Sequence, residues 1–332
     1  MQPRHLVALS IVLVFALVAV LVLMLFQTSS LSSRLHELQN ENRKMSLQVS
    51  EYQQAYCTND FSITTANTTT KYQLSSDGYA RTYRVHTPKN YDPSVRYPVV
   101  INFDGIGGSG SRMESYSGVD SLPVIAVYPD SIRGREGYTA WQGAPYSLKG
   151  NYDVQFVRDI LDAIPSNYCT DSTNVFAIGM SNGGGFATIL GCQMPDAFRA
   201  IASLSGAYYT SCAEKANAPS LLVMHSSSDQ QVPFTGSSKR GLPAVTKWTK
   251  KEAAERQCQA SSQNSLKNND KGLQSSTYTV YDWQGCQNNT LLRLVVVKNQ
   301  DHGWLQLPRG SETKLSGTTN YIWTFFQTVA SR

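Results

Sequence analysis

The sequence lacks the motifs of several large protein classes. Its 332 residues contain neither a GxxxxGK phosphate loop nor an HExxH zinc-binding helix, and no internal repeat is evident. Lys and Arg exceed Asp and Glu by only 29 to 24, and they are scattered rather than gathered in a basic stripe. These absences argue against a P-loop enzyme, a zinc hydrolase, a repeat scaffold and a nucleic-acid-binding protein. We therefore predict no metal, no cofactor and no nucleic-acid partner.

Charged residues are also few. They make up 16% of the chain, against 41% hydrophobic residues, a balance typical of a folded globular protein rather than a disordered one. The length suits one large α/β domain with appended segments.

The N-terminus holds one long apolar stretch. Residues 6–26 are apolar except for Ser10, and a helix of this length can cross a bilayer. No A-x-A-like cleavage site follows, and residues 28–30 (T-S-S) are a weak candidate for one. We therefore predict an uncleaved transmembrane signal-anchor over residues 1–30, with secretion after cleavage as the alternative. Basic residues on both sides leave the orientation open.

The spacing of apolar residues changes in residues 31–56. Apolar residues recur at alternating spacings of four and three from Leu31 to Tyr52, with Asn42 at an a position of the resulting heptads. A buried Asn at such a position commonly selects a parallel dimer. We predict a coiled-coil stalk that supports a homodimer. A single solvated helix stays open as the alternative, because three heptads are near the lower limit for a coiled coil.

Six cysteines follow the predicted anchor, an even number that suits disulfides in an oxidising compartment. Cys258 and Cys286 flank the polar insertion 259–276, so we predict that they are bonded to each other. The pattern leaves the pairing of the others open: Cys57, Cys169, Cys192 and Cys212. Six buried free thiols in a cytosolic enzyme are the alternative interpretation.

Two N-glycosylation sequons begin at Asn67 and Asn288. Together with the cysteines they predict a glycoprotein whose body is extracellular, luminal or periplasmic and is held at the membrane by its anchor.

After a Thr- and Ser-rich linker over residues 57–70, strand-like and helix-like segments alternate through residues 71–332. The predicted strands are 71–75, 80–87, 97–103, 124–128, 175–178, 201–204, 221–224 and 291–297, and the predicted helices are 153–164, 184–193, 245–258 and 317–329. This alternation predicts an α/β fold with a mostly parallel sheet flanked by helices.

Residues 179–183 read G-M-S-N-G, directly after the apolar run 175–178. A G-x-S-x-G match arises by chance in about one chain in ten of this length and composition. Here, however, it lies where a predicted strand turns into a predicted helix, the place where such a turn exposes a nucleophilic serine. The position therefore predicts Ser181 as a catalytic nucleophile.

A serine hydroxyl needs a base to take its proton, and the chain has five histidines. His302 follows the last predicted strand, where the chain order Ser, acid, His puts the base. Asp229 follows strand 221–224 and is the predicted acid that orients the imidazole. Asp301 is a rival, although its adjacency to His302 gives poor hydrogen-bond geometry. We interpret His225 as a structural residue that supports the loop of the acid.

A developing oxyanion needs backbone N–H donors. The amide of Asn182, next to the nucleophile, is one predicted donor. The second is the amide of Ile106, in the glycine-rich loop 104–110 that follows strand 97–103. That loop lacks the Lys-Ser/Thr ending of a phosphate-binding loop.

Several stretches form an ordered set: residues 77–88 (DGYARTYRVHTP), 128–130 (YPD) followed by Trp141 and 153–154 (DV), 179–184 (GMSNGG), 225–233 (HSSSDQQVP) and 301–304 (DHGW). Together they resemble secreted feruloyl esterases and polyhydroxybutyrate-depolymerase-like esterases, from about residue 70 to the end. The resemblance implies an α/β-hydrolase fold and a metal-free serine carboxylic-ester hydrolase that works through an acyl-enzyme. Its expected substrates are feruloyl or acetyl esters of plant polysaccharide, with aliphatic polyesters as the alternative.

Two departures from that family matter. One is the anchor and stalk, because the family is mostly secreted. The other is Asp104-Gly105, where the family usually has His-Gly. A carboxylate near the oxyanion would disfavour negative charge in the transition state, so a catalytically silent module that binds glycans or a protein partner is a further alternative.

Aromatic side chains are the predicted substrate contacts. Trp304 lies two residues beyond His302, and Trp141 lies in the loop 137–146. Flat rings suit a feruloyl group, a sugar or a polyester equally. For both residues the alternative is ordinary packing.

Overall fold

The computed structural model describes residues 63–210, 217–259, 261–267, 277–307 and 317–332, together with positions 34, 37, 38, 41, 42, 44, 45, 57 and 61. The predicted membrane anchor lies outside the described residues. The seven described positions between 34 and 45 are helical. A single helix and a coiled coil both agree with this observation. The coiled-coil stalk and its homodimer therefore stay predictions. Among the described residues, no helix combines the length and the apolar character that crossing a membrane requires. The chain divides into two compact units, Met1–Tyr56 and Cys57–Arg332.

The second unit is built on one sheet, which in the described part of the chain has ten strands in the order β1-β2-β4-β3-β5-β6-β7-β10-β9-β8. The strands are β1 (Thr69–Ser76), β2 (Tyr79–His86), β3 (Tyr97–Phe103), β4 (Ile125–Pro129), β5 (Thr170–Met180), β6 (Ala200–Leu204), β7 (Ser220–Ser226), β8 (Ser261–Lys267), β9 (Thr277–Trp283) and β10 (Leu292–Val297). The strands from β4 to β10 in this order are parallel. Antiparallel pairs flank them at both edges.

Helices cover both faces of the sheet. They are α1 (Gly110–Ser117), α2 (Tyr152–Ala163), α3 (Asn182–Gln193), α4 (Val245–Glu255) and α5 (Gly317–Ala330). Buried residues of α2, α3 and α4 pack on one face and those of α1 and α5 on the other. β5 serves both faces, with Val175 and Ala177 directed to the first and Phe176 and Ile178 to the second, as expected for a strand buried on both sides. This arrangement confirms the predicted α/β-hydrolase fold.

Three elements were not predicted from the sequence. Helix α1 has only eight residues, of which Met113 is the single large apolar side chain that it buries, so its periodicity is weak. It begins after Ser109, whose hydroxyl accepts the Arg112 amide, and ends at Gly118, whose φ of 70° few other residues adopt. Strands β8 and β9 add to the edge of the sheet through backbone pairing, and the polar composition of 259–276 gave no strand signal for β8.

Disulfide bonds fasten the ends of several segments. Cys258, which follows α4, is bonded to Cys286, the pair that the sequence analysis selected. Cys57 is bonded to Cys169 at the start of β5, Cys192 is disulfide-bonded as well, and no described cysteine is free. The alternative of free cytosolic thiols is therefore wrong, and the bonds indicate an oxidising compartment.

Candidate active site

Ser181 lies at the sharp turn between β5 and α3. Its backbone has φ 57° and ψ −120°, a strained conformation of the kind found at functional turns. The turn needs glycine at positions 179 and 183 because neighbouring backbone atoms lie too close to both positions for a side chain. A Cβ on Gly179 would lie 2.0 Å from the carbonyl oxygen of Gly183, and a Cβ on Gly183 would lie 2.3 Å from that of Phe103. The spacing of the motif is thus a steric requirement of this turn.

The fold brings the three residues predicted for the triad together. The Nε2 atom of His302 lies 2.8 Å from the Ser181 hydroxyl oxygen. Its Nδ1 atom lies 2.7 Å from Oδ2 of Asp229. Both distances are hydrogen bonds, and the side chains of His302 and Asp229 are 8% and 0% exposed. The arrangement can pass a proton from the serine to an imidazole held by a buried carboxylate.

Hydrogen bonds from neighbouring strands fix the loop that carries His302. Ser226, at the end of β7, donates its hydroxyl to the carbonyl of Gln300 over 2.6 Å. Ser205, just after β6, donates to the carbonyl of Gly303 over 2.9 Å. The carboxyl ends of two strands therefore hold the residues on either side of the histidine.

Hydrogen bonds stabilise the negative charge of the Asp229 carboxylate. Burial raises the pKa of its carboxyl, but hydrogen bonds from His225, His302 and the Val232 amide outweigh that effect and hold the pKa well below its usual value. Its Oδ1 atom accepts the amides of Gln231 and Val232 over 2.9 and 2.8 Å. The carboxylate thus stays ionised and can accept a proton-bearing Nδ1 of His302.

His225 supports the acid, as the sequence analysis interpreted it. Its side chain is fully buried, with Nε2 2.8 Å from the carbonyl oxygen of Val232 and 3.4 Å from Oδ2 of Asp229. Because a carbonyl only accepts, Nε2 must carry a proton. Asp301, the rival acid, is exposed and is not the carboxylate that bonds His302.

Of the two predicted oxyanion donors, Asn182 follows the serine in the chain, and Ile106 follows a glycine that contacts the serine across the fold. A Cβ on Gly105 would lie 3.2 Å from Cβ of Ser181, so the loop before Ile106 touches the nucleophile. The Gly105 amide is taken by the Asp104 side chain, whereas the Ile106 amide donates to no protein group in the described part of the chain. Asn182 is the first residue of α3, where backbone N–H groups have no partner within the helix.

The Asp104 carboxylate is fully engaged and only 2% exposed. Oδ1 accepts the Gly105 amide and the Tyr116 hydroxyl over 2.7 Å each. Oδ2 accepts the Ser109 amide over 3.1 Å and Nε of Arg112 over 2.8 Å. Burial and then the Asp104 charge raise the pKa of Tyr116, which keeps it a donor. Arg112 therefore compensates the negative charge of Asp104. The carboxylate also holds the glycine-rich loop in place through the Gly105 and Ser109 amides.

Replacing Asp104 with Asn should loosen this loop, because an amide NH₂ in place of one oxygen would face other donors. We expect the free energy of unfolding in urea to fall by about 1–3 kcal/mol. We also expect kcat for p-nitrophenyl acetate to fall about tenfold as the Ile106 amide loses its position. Asp162→Asn, at an exposed position of α2, is the matched control. Unchanged stability and kcat in Asp104→Asn would refute the bracing role.

The prediction that Trp141 contacts substrate is wrong. Its side chain is 1% exposed, stacks parallel to Phe186 at 5.1 Å between ring centroids and donates Nε1–H to the Asp104 carbonyl over 2.9 Å. Its backbone N–H and carbonyl bind the side-chain amide of Asn182. Trp141 thus helps to hold the turn between β5 and α3 in place. Trp304 is partly buried with its ring edge-on to Tyr116, and its substrate contact stays a prediction.

One cluster outside the triad has the residue types of a metal site. His86, Glu114 and Asp120 offer ligand atoms within 4.8 Å of one another. The Glu114 oxygens already accept hydrogen bonds from Thr69 and Arg84. His86 lies at the end of β2 and Glu114 on α1, and the triad is bonded through other residues, so this cluster is not part of the triad.

Comparison with known proteins finds similarity over most of the chain. The model of the family described as "Putative esterase" matches residues 76–320. The chain is 27% identical over 165 residues to "Probable feruloyl esterase C" of Aspergillus terreus, covering 47% of this chain and 57% of that protein. It is 32% identical over 181 residues to the "Putative esterase NocK" of Nocardia uniformis, covering 52% of each. The chain thus spans about half the length of these curated relatives.

Among solved structures, the chain is similar to the acetyl xylan esterase from Aspergillus awamori. The TM-score is 0.54 at 14% sequence identity, covering 78% of this chain and 99% of that one. At this identity the likeness establishes the fold alone.

Proposed function

Because the chain belongs to the "Putative esterase" family, we propose that it is a serine carboxylic-ester hydrolase working through an acyl-enzyme. One observation carries the proposal: a single imidazole, that of His302, is within hydrogen-bond distance of both the Ser181 hydroxyl and the Asp229 carboxylate. A family likeness alone would not establish chemistry, which depends on the site.

The reaction follows from this geometry. The Ser181 oxygen attacks the ester carbonyl while Nε2 of His302 takes its proton, and Asp229 stabilises the resulting imidazolium. The amides of Ile106 and Asn182 are the donors for the oxyanion. The imidazolium then protonates the leaving alcohol, and a water activated by the neutral imidazole releases the acid from Ser181.

The proposed substrates are feruloyl or acetyl esters of plant polysaccharide. Support comes from the names of relatives, which include "Probable feruloyl esterase C" of Aspergillus terreus. Polyhydroxyalkanoates stay a second substrate class, since an acyl-enzyme can form from either. No described contact favours the polyester.

A substrate panel tests this proposal. We expect hydrolysis of methyl ferulate and acetylated xylan, measured by release of acid, and rapid labelling of the protein by a fluorophosphonate probe. Release of hydroxybutyrate from polyhydroxybutyrate with no activity on methyl ferulate would move the assignment to the polyester class. Absence of labelling would contradict the nucleophile itself.

The silent binding module loses its supporting observation. Asp104 was the feature that spoke against catalysis, and its charge is paired with Arg112 over 2.8 Å. The esterase is therefore the function that the site supports best.

The proposed location is an oxidising compartment, with the body outside the cytosol. The disulfides support this placement. The sequon residues Asn67 and Asn288 are exposed, as attachment of a glycan requires. Anchoring through residues 6–26 and dimerisation through residues 31–56 belong to the same proposal, with secretion after cleavage as its alternative.

A further inference from the structure

Residues 139–142 contact the segments that carry both predicted oxyanion donors, and we call them the bridge segment. The carbonyl of its first residue accepts the Gly107 amide over 2.8 Å. The indole of Trp141 donates to the Asp104 carbonyl over 2.9 Å. Because Ile106 lies between these two bonded residues of the glycine-rich loop, the bridge segment holds the loop on both sides of the Ile106 amide.

The bridge segment also binds the second donor residue, Asn182. The side-chain oxygen of Asn182 accepts the Trp141 amide over 2.7 Å, and its side-chain nitrogen donates to the Trp141 carbonyl over 3.1 Å. Asn182 is 2% exposed, and this paired contact restrains the first residue of α3 and with it the direction of the backbone N–H. A shift of the bridge segment would therefore displace both donors together.

A buried carboxylate fixes the end of the bridge segment. Oδ2 of Asp153, in the first turn of α2, accepts the Gln142 amide over 2.7 Å. Oδ1 of the same carboxylate accepts Nη2 of Arg81 over 2.7 Å, and the two charged side chains are at most 3% exposed. Arg81 belongs to β2 and also donates to the Asp130 carbonyl over 3.2 Å. The carboxylate is thus tied to the sheet as well as to the bridge segment.

Gln142 binds α2 in return. Its side-chain oxygen accepts the amide of Val154 over 3.2 Å, one of the N–H groups that have no partner within a helix at its first turn. The ion pair of Asp153 and Arg81 is weak evidence for stability, because the desolvation of two buried charges can cancel their attraction. Its place at the end of the bridge segment indicates a different role.

We propose that Asp153 is a positioning residue for the reaction at Ser181, and that it holds the amides of Ile106 and Asn182 in place through the bridge segment. Asp153 acts on the reacting atoms only through these amides. Donors stabilise an oxyanion only when they lie at the right distance from it, so a small displacement lowers kcat rather than substrate binding. The inference rests on the proposed esterase, because kcat is one of its readouts.

Two double variants separate the hydrogen bond to Gln142 from the ion pair. Arg81→Met with Asp153→Asn removes both charges but leaves a side-chain oxygen to accept the Gln142 amide. Arg81→Met with Asp153→Leu removes both charges and the acceptor. Apolar residues often replace a buried ion pair without loss of stability, so both variants should fold, as judged by circular dichroism. Asp162→Asn, at an exposed position of α2, is the control and should match the unsubstituted chain.

The variant with Asp153→Leu should lower kcat for p-nitrophenyl acetate about tenfold. KM and the pH midpoint of kcat should stay unchanged, because the hydrogen bonds of the triad do not involve Asp153. The variant with Asp153→Asn should recover most of the lost kcat. Equal kcat in the two double variants would overturn the proposal, as would a rise in KM at unchanged kcat.

Amide hydrogen exchange of the same variants tests the positioning without a substrate. Peptides that contain Gln142 or Asn182 should exchange faster in the variant with Asp153→Leu than in the one with Asp153→Asn. Equal exchange would also overturn the proposal. If the unsubstituted chain hydrolysed no ester, the proposed function would fail, while the exchange would still decide whether Asp153 holds the bridge segment. The two proposals thus fail separately.

Discussion

Ser181→Ala is expected to lower kcat for p-nitrophenyl acetate by about ten-thousandfold or more. The substitution removes the oxygen that Nε2 of the His302 imidazole contacts, and the residual rate would come from the oxyanion donors and substrate binding alone. The measurement is the release of p-nitrophenol, followed together with fluorophosphonate labelling. Both signals should disappear in the variant.

Ser227→Ala is the control for this experiment, since Ser227 is an exposed serine on the loop that leads to Asp229. It should keep the unsubstituted rate. The fold of Ser181→Ala should also persist, as judged by circular dichroism and Tm, because alanine fills the same space. Equal turnover by Ser181→Ala and the unsubstituted chain would refute the proposed mechanism.

Asp229→Asn is expected to reduce kcat by about ten-thousandfold while leaving the geometry nearly unchanged. The amide oxygen would keep the bonds from the Gln231 and Val232 amides, which turns the NH₂ group toward His302. Nδ1 would then have to accept, and Nε2 would carry the proton. An imidazole in that tautomer cannot take the proton of Ser181. The readout is kcat for p-nitrophenyl acetate with KM determined separately.

Asp301→Asn tests whether Asp301, rather than Asp229, is the acid that bonds His302. Asp301 neighbours His302 in sequence, but its side chain is exposed, so its replacement should change kcat by less than about twofold. A large loss in Asp301→Asn together with a small loss in Asp229→Asn would exchange the two assignments.

The candidate triad was predictable because each of its signals is local. Apolar runs of four to seven residues mark the parallel strands, and the residues that carry chemistry follow β5, β7 and β10 directly. The carboxyl ends of parallel strands lie at one edge of the sheet. Residues that follow these strands, such as Ser181, Asp229 and His302, are therefore expected near one another.

Other features of the site depend on contacts that chain order does not encode. Arg112 and Tyr116 hold Asp104 only because α1 forms, and α1 is short and mostly polar. The burial of Trp141 is set by Phe103 and Phe186, each about forty residues away in the sequence. Tyr208 stacks on Trp248 across a similar separation. The periodic pattern of apolar residues in a sequence does not indicate which distant side chains pack against each other.

The bond between Cys57 and Cys169 closes a covalent ring that spans 112 positions of the chain. A protease that cut once inside this ring, for example at the exposed Glu136, would release no fragment as long as the sulfur–sulfur bond lasts. Everything before Cys57 would also stay joined to β5, the strand that Ser181 follows. In a protease-rich medium, a nicked molecule would therefore keep both its N-terminal segment and its nucleophile.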